Sequence, residues 1–479
     1  METSNENNID ARQSIPGLST GSSLDNRKLH PNFLNKNSHL IVLAILILGF
    51  AAFSVFFAVR LRTGRIPDES YHFPLSQLFS TTWGIPANTP NTFYFSYIDH
   101  KPFLYYWING RALNLLHLVV PDVSRWRELV FLRLLSVVYS LGTVIFLYLL
   151  AKEFIEDKWG QVFATALLTT TLMFVFLSGG VNYDNLTNLC CMAGIYFFTR
   201  TVKGKDFYKN SLLWLITISF GTLVKVTALP LAAILTILWG VYVFINRRLI
   251  VFKKRLKWQF WVGMAVFVFL CIGNIAIYGV NIIKYGNPKP PCDQVLTEDQ
   301  CANNLVYVRN TRLQAEGSLT FIDVLNGEGD EPLGYFSNYW GPAMLQKIYG
   351  ILGNKVFYPS DFVIRLFGIL AMIGLLSVVR YWKAPSFPLG ALYITFAFYV
   401  IVLFVTNYRA EMRFWFKHIG IQGRYLFPII GAAYVILSKG IFSIRPILLK
   451  WLVVILVLVL FLTTFLGVLL PNIPSLVVQ

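Results

Sequence analysis

The sequence predicts an all-α polytopic membrane protein with about eleven transmembrane helices and a long first extracytoplasmic loop. Hydrophobic residues make up 56% of the 479 residues and charged residues only 14%, and the mean hydropathy is +0.58. A water-soluble domain of this length is far less apolar. Several uncharged runs approach or exceed the roughly 20 residues that a helix needs to cross a bilayer. Apolar residues follow one another without interruption in these runs and do not alternate with polar residues, which favours membrane-spanning helices over the strands of a barrel.

The net charge of +17 comes from cations that lie mostly in short loops between apolar runs. This is the pattern of basic loops retained in the cytoplasm, so it does not indicate a nucleic-acid partner. It predicts a multi-pass protein of the plasma (inner) membrane, in contact with the lipid bilayer, with a cytoplasmic N-terminus.

Residues 1–38 are rich in Asn and Ser without periodicity, which predicts a disordered cytoplasmic tail. A first span at 39–59 leads into the first outer loop, 60–127, where Phe103–Val120 has the composition of an amphipathic helix lying in the membrane interface. A single transmembrane domain is predicted over 39–470, with an outer tail at 471–479. The other predicted spans are 130–151, 159–178, 184–200, two within 211–246 that divide near Lys225, 259–283, 362–380, 386–407, 424–442 and 451–470. Every even-numbered span ends at a basic loop, which supports this orientation.

The largest polar insertion, 284–360, is predicted to lie outside. Its aromatic residues around Gly334–Tyr349 indicate that it approaches the membrane surface. Cys292 and Cys301 flank a polar stretch of this loop, and an oxidising compartment would favour a disulfide between them.

Charges that map to the outer face are informative, because retention of cations inside does not explain them. They are Asp68, Glu69, Asp99, Asp184, Lys225, Arg409, Arg413, Lys417 and Arg424. The most compact group is Pro67-Asp68-Glu69-Ser70-Tyr71-His72, in which Asp68 and His72 would share one face of a helix. The alternative is an ordinary helix start, with Pro67 at the first position and acids in the first turn.

Lys225 and Arg424 are predicted to bind an anionic headgroup beside these acids, since arginine forks and lysine charges both suit phosphate. Tyr425 follows Arg424 in the same cluster. Asp184 opens a span in Asn182-Tyr183-Asp184-Asn185 and is either part of this site or an acidic helix start. For Lys225 the alternative is snorkelling to the interface.

A second element, Asp99-His100-Lys101-Pro102, is also assigned to substrate binding, although His100 could instead order a turn. Metal dependence is open. Asp68, Glu69 and Asp184 are the candidate ligands for Mg²⁺ or Mn²⁺, which prefer oxygen donors.

Five short motifs resemble the glycosyltransferase-C superfamily over about residues 40–440. They are Pro67-Asp68-Glu69 with His72, Asp99-His100 with Pro102, Asn182-Tyr183-Asp184-Asn185-Leu186, Val224-Lys225 with Pro230, and Gly423-Arg424-Tyr425 with Pro428. The branches that the chain resembles are protein O-mannosyltransferases and lipid A aminoarabinose transferases, and closer still a bacterial family of membrane proteins of unknown function. Loop 284–360 resembles no named part of these families.

The resemblance implies transfer of a sugar from a polyprenyl-phosphate carrier to an extracytoplasmic glycan, lipid or protein acceptor. It assigns Asp68 to the catalytic base and Glu69 to its neighbour. Our hypothesis adds that Glu69 and His72 tune or orient the base, and it places Glu69 among the catalytic residues and His72 among the substrate-binding residues. Two rival hypotheses are a transporter of lipid-linked saccharide and a non-catalytic protein of envelope-polymer assembly. A transporter would need cations reachable from both faces, whereas the unexplained charges gather on one.

Overall fold

The structure, a computed structural model, describes residues 31–95, 97–247, 257–315, 317–353, 356–381, 386–415 and 420–477. The longer helices are α1 (Pro31–Arg60), α2 (Glu69–Ser80), α3 (Leu104–Val119), α4 (Arg125–Phe154), α5 (Lys158–Thr169), α6 (Leu172–Ser178), α7 (Tyr183–Val202), α8 (Phe207–Val224), α9 (Leu229–Asn246) and α10 (Trp258–Asn274). Shorter helices follow between residues 280 and 349: α11 (Val280–Tyr285), α12 (Cys292–Val295), α13 (Glu298–Cys301), α14 (Leu305–Ala315), α15 (Phe321–Leu325), α16 (Pro332–Tyr335) and α17 (Gly341–Tyr349). The last helices are α18 (Asp361–Tyr381), α19 (Phe387–Arg413), α20 (Phe427–Phe442), α21 (Ile447–Leu469) and α22 (Ile473–Leu476).

Judged by length and composition alone, seven helices of the described residues could cross a membrane, and the bent pair α5–α6 would make eight. The pair turns by 66° between its two helices. Helices α7, α8 and α18 coincide with three further predicted spans, but the predicted total of about eleven is not confirmed. The predicted division near Lys225 is present, since α8 ends at Val224 and α9 begins at Leu229.

Helix α1 starts at Pro31, so it includes the last residues of the stretch predicted as a tail, and the tail boundary at residue 38 stays a prediction. Residues 1–30 and Lys417 lie outside the described residues. At the other end, Val477 pairs with Leu61, and the Arg62 amide donates to the Leu476 carbonyl at 3.1 Å. The predicted outer tail therefore lies at the same end of the molecule as the end of α1.

Two apolar cores organise the helices. The larger is formed by α1, α4–α9 and α17–α21, and the smaller joins α2 and α3 to the first turns of α4 and α7 and the end of α8. Helix α3 matches the predicted amphipathic helix, because one face packs on α2 while Leu115, Leu118 and Val119 are exposed.

Loop 284–360 contains a two-stranded antiparallel sheet, β1 (Ile351–Leu352) and β2 (Val356–Phe357), with Ile351 opposite Phe357. Cys292 and Cys301 form a disulfide, as the sequence suggested for an oxidising compartment. The disulfide packs against Tyr97 of loop 60–127, so loops 60–127 and 284–360 touch.

Candidate active site

Asp68 lies immediately before α2 in a left-handed backbone conformation, with φ 58°. The backbone amides of Tyr71 and His72 both donate to its carbonyl at 2.9 Å, which closes the turn into the helix. The Asn182 side chain donates to the Pro67 carbonyl at 2.9 Å and fixes the turn from α7. A residue at this φ points its side chain out of the helical spiral. Asp68 and His72 therefore do not share a helical face as predicted.

The carboxylate of Asp68 pairs with Arg424, whose Nη2 donates to Oδ2 at 2.5 Å. Asp68 keeps 53% of its side-chain surface exposed, whereas Arg424 keeps 4%. Its partly enclosed position opposes ionisation, but the positive charges of Arg424 and Lys225 outweigh that effect and hold the pKa of Asp68 below its usual value. The result is an ionised carboxylate on the rim of a buried cation site.

Behind this pair, Asp184 joins the two predicted cations. Lys225 donates to Oδ1 of Asp184, and Nε of Arg424 lies 3.6 Å from Oδ2. All three side chains are at most 5% exposed. Asp184 also sits at the start of α7, where the Asn182 side chain caps its amide. Asp184 therefore lies at the start of a helix and also in the charged cluster, and its role in substrate binding stays a prediction.

Several polar atoms of this cluster are buried without a hydrogen-bond partner among the described residues. They are Nε and Nη1 of Arg424, Oδ2 of Asp184 and Nε2 of His72. Nε of Arg424 and Oδ2 of Asp184 face each other at 3.6 Å, which leaves Nη1 of Arg424 as the donor without an acceptor beside Asp68. Buried polar groups are nearly always satisfied in folded proteins, so this donor indicates a polar ligand that accepts a hydrogen bond.

Aromatic rings enclose the lysine. Nζ of Lys225 lies 4.3 Å from the ring centre of Tyr183 and 4.7 Å from that of Tyr425. Both rings present their faces to the cation, which stabilises its charge in a buried position. Tyr425 therefore contacts both Lys225 and Arg424.

Glu69 lies apart from this cluster, contrary to its predicted catalytic role. Its two oxygens accept from Nε and Nη2 of Arg133 at 2.8 and 2.6 Å, and its side chain is 2% exposed. The same carboxylate accepts from the amides of Val181 and Gly64. Every oxygen is occupied, so Glu69 holds α1, α2, α4 and the α6–α7 turn together.

His72 is sealed among aromatic rings. Its Nδ1 lies 2.9 Å from the Tyr106 hydroxyl, and its ring centre is 4.4 Å from that of Tyr183. Burial lowers the pKa of His72 to about 4, against the opposing pull of Asp68 and Asp184. His72 is therefore neutral at physiological pH.

This burial predicts a pH dependence of stability. An unfolded histidine titrates near pH 6.5 and folded His72 near 4, so between these values the unfolded chain binds more protons. The contribution of neutral His72 to the free energy of unfolding is fully present above pH 6.5 and falls as the pH drops, by about 3 kcal/mol in total.

We expect the thermal midpoint of wild type to decrease as the pH is lowered from 7 to 4.5. His72→Gln should reduce the slope of the thermal midpoint against pH. An unaltered slope in His72→Gln would contradict the assignment.

The second predicted element forms a separate set of contacts. Asp99 accepts from the Asn88 side chain at 2.6 Å, and His100 Nδ1 lies 2.8 Å from Oδ1 of Asn281. Lys101 donates to the Phe95 carbonyl at 3.2 Å, and burial lowers its pKa to about 7. The Tyr71 hydroxyl donates to the same carbonyl at 3.1 Å. Asp99, His100 and Lys101 thus brace the loop beside α2 and do not join the cluster around Asp68.

The acids do not make a metal site in the part of the chain that the structure describes. No three His, Cys, Asp or Glu side chains converge there. Asp68 and Asp184 are each balanced by a buried cation, and Glu69 is balanced by Arg133. Divalent cations need several free oxygen ligands, so this donor set does not fit Mg²⁺ or Mn²⁺.

Sequence reasoning missed Arg133. The signal was present, because an ionisable residue inside an apolar run normally has a buried partner or a function.

Comparison with known proteins agrees with the motifs. Residues 100–276 match the family model of dolichyl-phosphate-mannose-protein mannosyltransferases. The match includes Asp184 and Lys225 and confirms the predicted resemblance to glycosyltransferase-C membrane enzymes. No curated protein sequence matches the chain.

Similar solved structures include ArnT from Cupriavidus metallidurans bound to undecaprenyl phosphate, at 14% identity over 86% of this chain and 62% of that one, with a TM-score of 0.49. AglB from Archaeoglobus fulgidus, in complex with an inhibitory peptide and a dolichol-phosphate, is 14% identical over 90% of this chain and 55% of its own, with a TM-score of 0.46. The Pmt1–Pmt2 complex of S. cerevisiae bound to the sugar donor is 15% identical over 51% and 33%, with a TM-score of 0.35. This chain thus spans 62% or less of these three proteins.

Proposed function

We propose that this chain is a membrane glycosyltransferase that moves a sugar from a polyprenyl-phosphate carrier to an acceptor outside the cytoplasm. The acceptor class is a hydroxyl-bearing envelope glycan, lipid or protein. One observation carries the proposal: the half-exposed carboxylate of Asp68 touches Arg424, and the buried Nη1 of that arginine has no hydrogen-bond acceptor among the described residues. A phosphate oxygen would accept from this nitrogen next to an ionised base.

In the proposed reaction Asp68 removes the proton from the acceptor hydroxyl as its oxygen attacks the anomeric carbon. The bond between that carbon and the phosphate oxygen breaks, and the polyprenyl phosphate leaves with the bonding electrons. Attack opposite the leaving group inverts the anomeric configuration. A carboxylate with a lowered pKa is a weak base, so the reaction depends on how Asp68 is positioned rather than on its basicity.

Arg424 and Lys225 are proposed to stabilise the charge that develops on the departing phosphate. Both are buried and already oriented, Arg424 by Asp68 and Asp184, and Lys225 by Asp184 and two tyrosine rings. Donors that need no reorganisation stabilise a transition state more than mobile ones. Glu69 is revised from a catalytic neighbour to a positioning residue, because Arg133 occupies its carboxylate.

Release of polyprenyl phosphate from a donor labelled in its lipid tests this proposal, with purified protein in nanodiscs and extracytoplasmic glycans, lipids or peptides as acceptors. A transporter moves the donor intact, and an assembly protein leaves it unchanged, so only a transferase generates the free phosphate. Absence of release with every acceptor class, with the donor bound, would contradict the proposal.

Arg424→Lys is expected to lower kcat/KM for the donor by about 10- to 100-fold. A lysine has no planar fork, so it cannot contact Asp68, Asp184 and a phosphate at once. Release of polyprenyl phosphate under initial-rate conditions measures the change. Arg409→Lys is the matched control, because Arg409 is an exposed arginine of α19. Equal rates of polyprenyl phosphate release for the two variants would contradict the proposed role of Arg424 in binding the phosphate.

A further inference from the structure

The outer loop 284–360 contains one short segment that contacts both partners of the Asp68–Arg424 pair through their backbone turns. We propose that Lys347–Gly353, at the end of α17 and the start of the small sheet, is a positioning element that sets Asp68 against Arg424. The inference rests on the function proposed above and gives the loop a role in the same site.

The first contact holds the turn that carries Arg424. A Cβ added to Gly423 would lie 2.6 Å from the amide nitrogen of Ile348 and 2.6 Å from the carbonyl carbon of Lys347. The backbone of α17 therefore lies directly on Gly423, with no room for a side chain. Lys347 adds a hydrogen bond from Nζ to the Ile421 carbonyl at 2.7 Å. Arg424 is the next residue along this turn.

Helix α17 is itself fixed to the membrane helices. Trp340 precedes it and donates from Nε1 to Oδ1 of Asn407 in α19 at 3.0 Å, and both side chains are buried. At its other end, the ring of Tyr349 stacks on Phe367 of α18 with 3.5 Å between ring centres. The element therefore transmits the position of α18 and α19 to Arg424.

The second contact holds the turn that carries Asp68. A Cβ added to Gly353 would lie 2.0 Å from the Arg65 carbonyl oxygen, a distance that no side chain tolerates. Arg65 lies just before Pro67-Asp68 in the same turn. Ile351 is fully buried, and its pairing with Phe357 orders the strand that delivers Gly353.

In both contacts a glycine allows two backbone segments to pack directly against each other. The element therefore fixes the position of each turn by close packing. A methyl group at either position must push its neighbouring turn away, because a packed backbone cannot move aside like a flexible side chain. Displacement by about 1 Å at a reacting group costs up to about 100-fold in rate. Gly423 lies in the turn that carries Arg424, whereas Gly353 contacts the turn that carries Asp68. Substitutions at the two glycines should therefore displace different residues of the pair.

Gly353→Ala and Gly423→Ala test the inference, with Gly84→Ala as control because a Cβ there meets nothing within 4 Å. Hydrogen exchange by mass spectrometry reports each turn without reference to activity. We expect Gly353→Ala to raise exchange in peptides covering 61–72 and Gly423→Ala in peptides covering 420–427. Affinity for undecaprenyl phosphate in nanodiscs should fall about 10-fold in Gly423→Ala and stay unchanged in Gly353→Ala, while release of polyprenyl phosphate falls at least about 10-fold in both.

Exchange and affinity equal to those of Gly84→Ala in both variants would overturn the inference. If either alanine variant fails to fold, Lys347→Met decides: weakened affinity that Lys347→Arg restores supports the element, and unchanged affinity overturns it. Changed exchange in a protein whose wild type never releases polyprenyl phosphate would leave the positioning element standing and reject the proposed transferase.

Discussion

Asp68→Asn is expected to lower the rate of sugar transfer by about 100- to 10,000-fold, the range that a positioned general base contributes. Asparagine has nearly the same shape, and its amide oxygen can still accept the 2.5 Å bond from Arg424. It cannot take a proton from the acceptor. Initial rates of polyprenyl phosphate release, with donor affinity measured separately, should therefore show a loss in kcat and little change in donor binding.

Asp99→Asn is the matched control for this experiment. Asp99 is also an acid of the first outer loop and is about as exposed as Asp68, but it bonds Asn88 and stands outside the cluster. Its replacement should leave the rate near that of wild type. Transfer by Asp68→Asn at the rate of Asp99→Asn would show that another group is the base.

Arg133→Met is expected to lower the free energy of unfolding by about 3–5 kcal/mol, the cost of leaving a buried charge without its partner. Arg133 is fully buried and pairs with Glu69 through two bonds. Its other guanidinium nitrogen donates to the carbonyls of Ala58 and Leu61, which end α1. The variant would therefore lose an ion pair and the cap of a helix C-terminus together.

Chemical unfolding in detergent measures this loss. Lys205→Met is a suitable control, because Lys205 also pairs with a glutamate, Glu153, but is 50% exposed and should cost less than about 1 kcal/mol. Adding Glu69→Gln to Arg133→Met should recover part of the stability, since no unpaired charge remains. A loss in Arg133→Met no greater than that in Lys205→Met would contradict the structural role of the pair.

Sequence patterns predicted the helices well where apolar runs end at charges or prolines. Such residues predicted the division at Lys225 and the helix at Phe103–Val120, and both features are present in the structure. The count of about eleven spans stays unconfirmed, because α7, α8 and α18 lie where spans were predicted but are not among the seven helices of the described residues that are long and apolar enough to cross a membrane.

The convergence of Asp68, Asp184, Lys225 and Arg424 was predicted from topology, since all four were assigned to one face. The pairing of each acid was not predicted. Asp68 and Glu69 are neighbours in sequence, yet one meets Arg424 and the other Arg133. The left-handed turn at Asp68 separates them, and local sequence reads equally as a regular helix start. Which arginine pairs with which acid depends on how the helices pack, and the periodicity and spacing of residues in the sequence do not show that packing.

The contact between Asp68 and Arg424 joins residues 356 positions apart. Synthesis runs from the N-terminus, so Asp68 leaves the ribosome long before Arg424 is made. Asp184 and Lys225 lie between them in the sequence. A ribosome that stalls before residue 424 therefore leaves a chain in which the acids of the site lack their arginine.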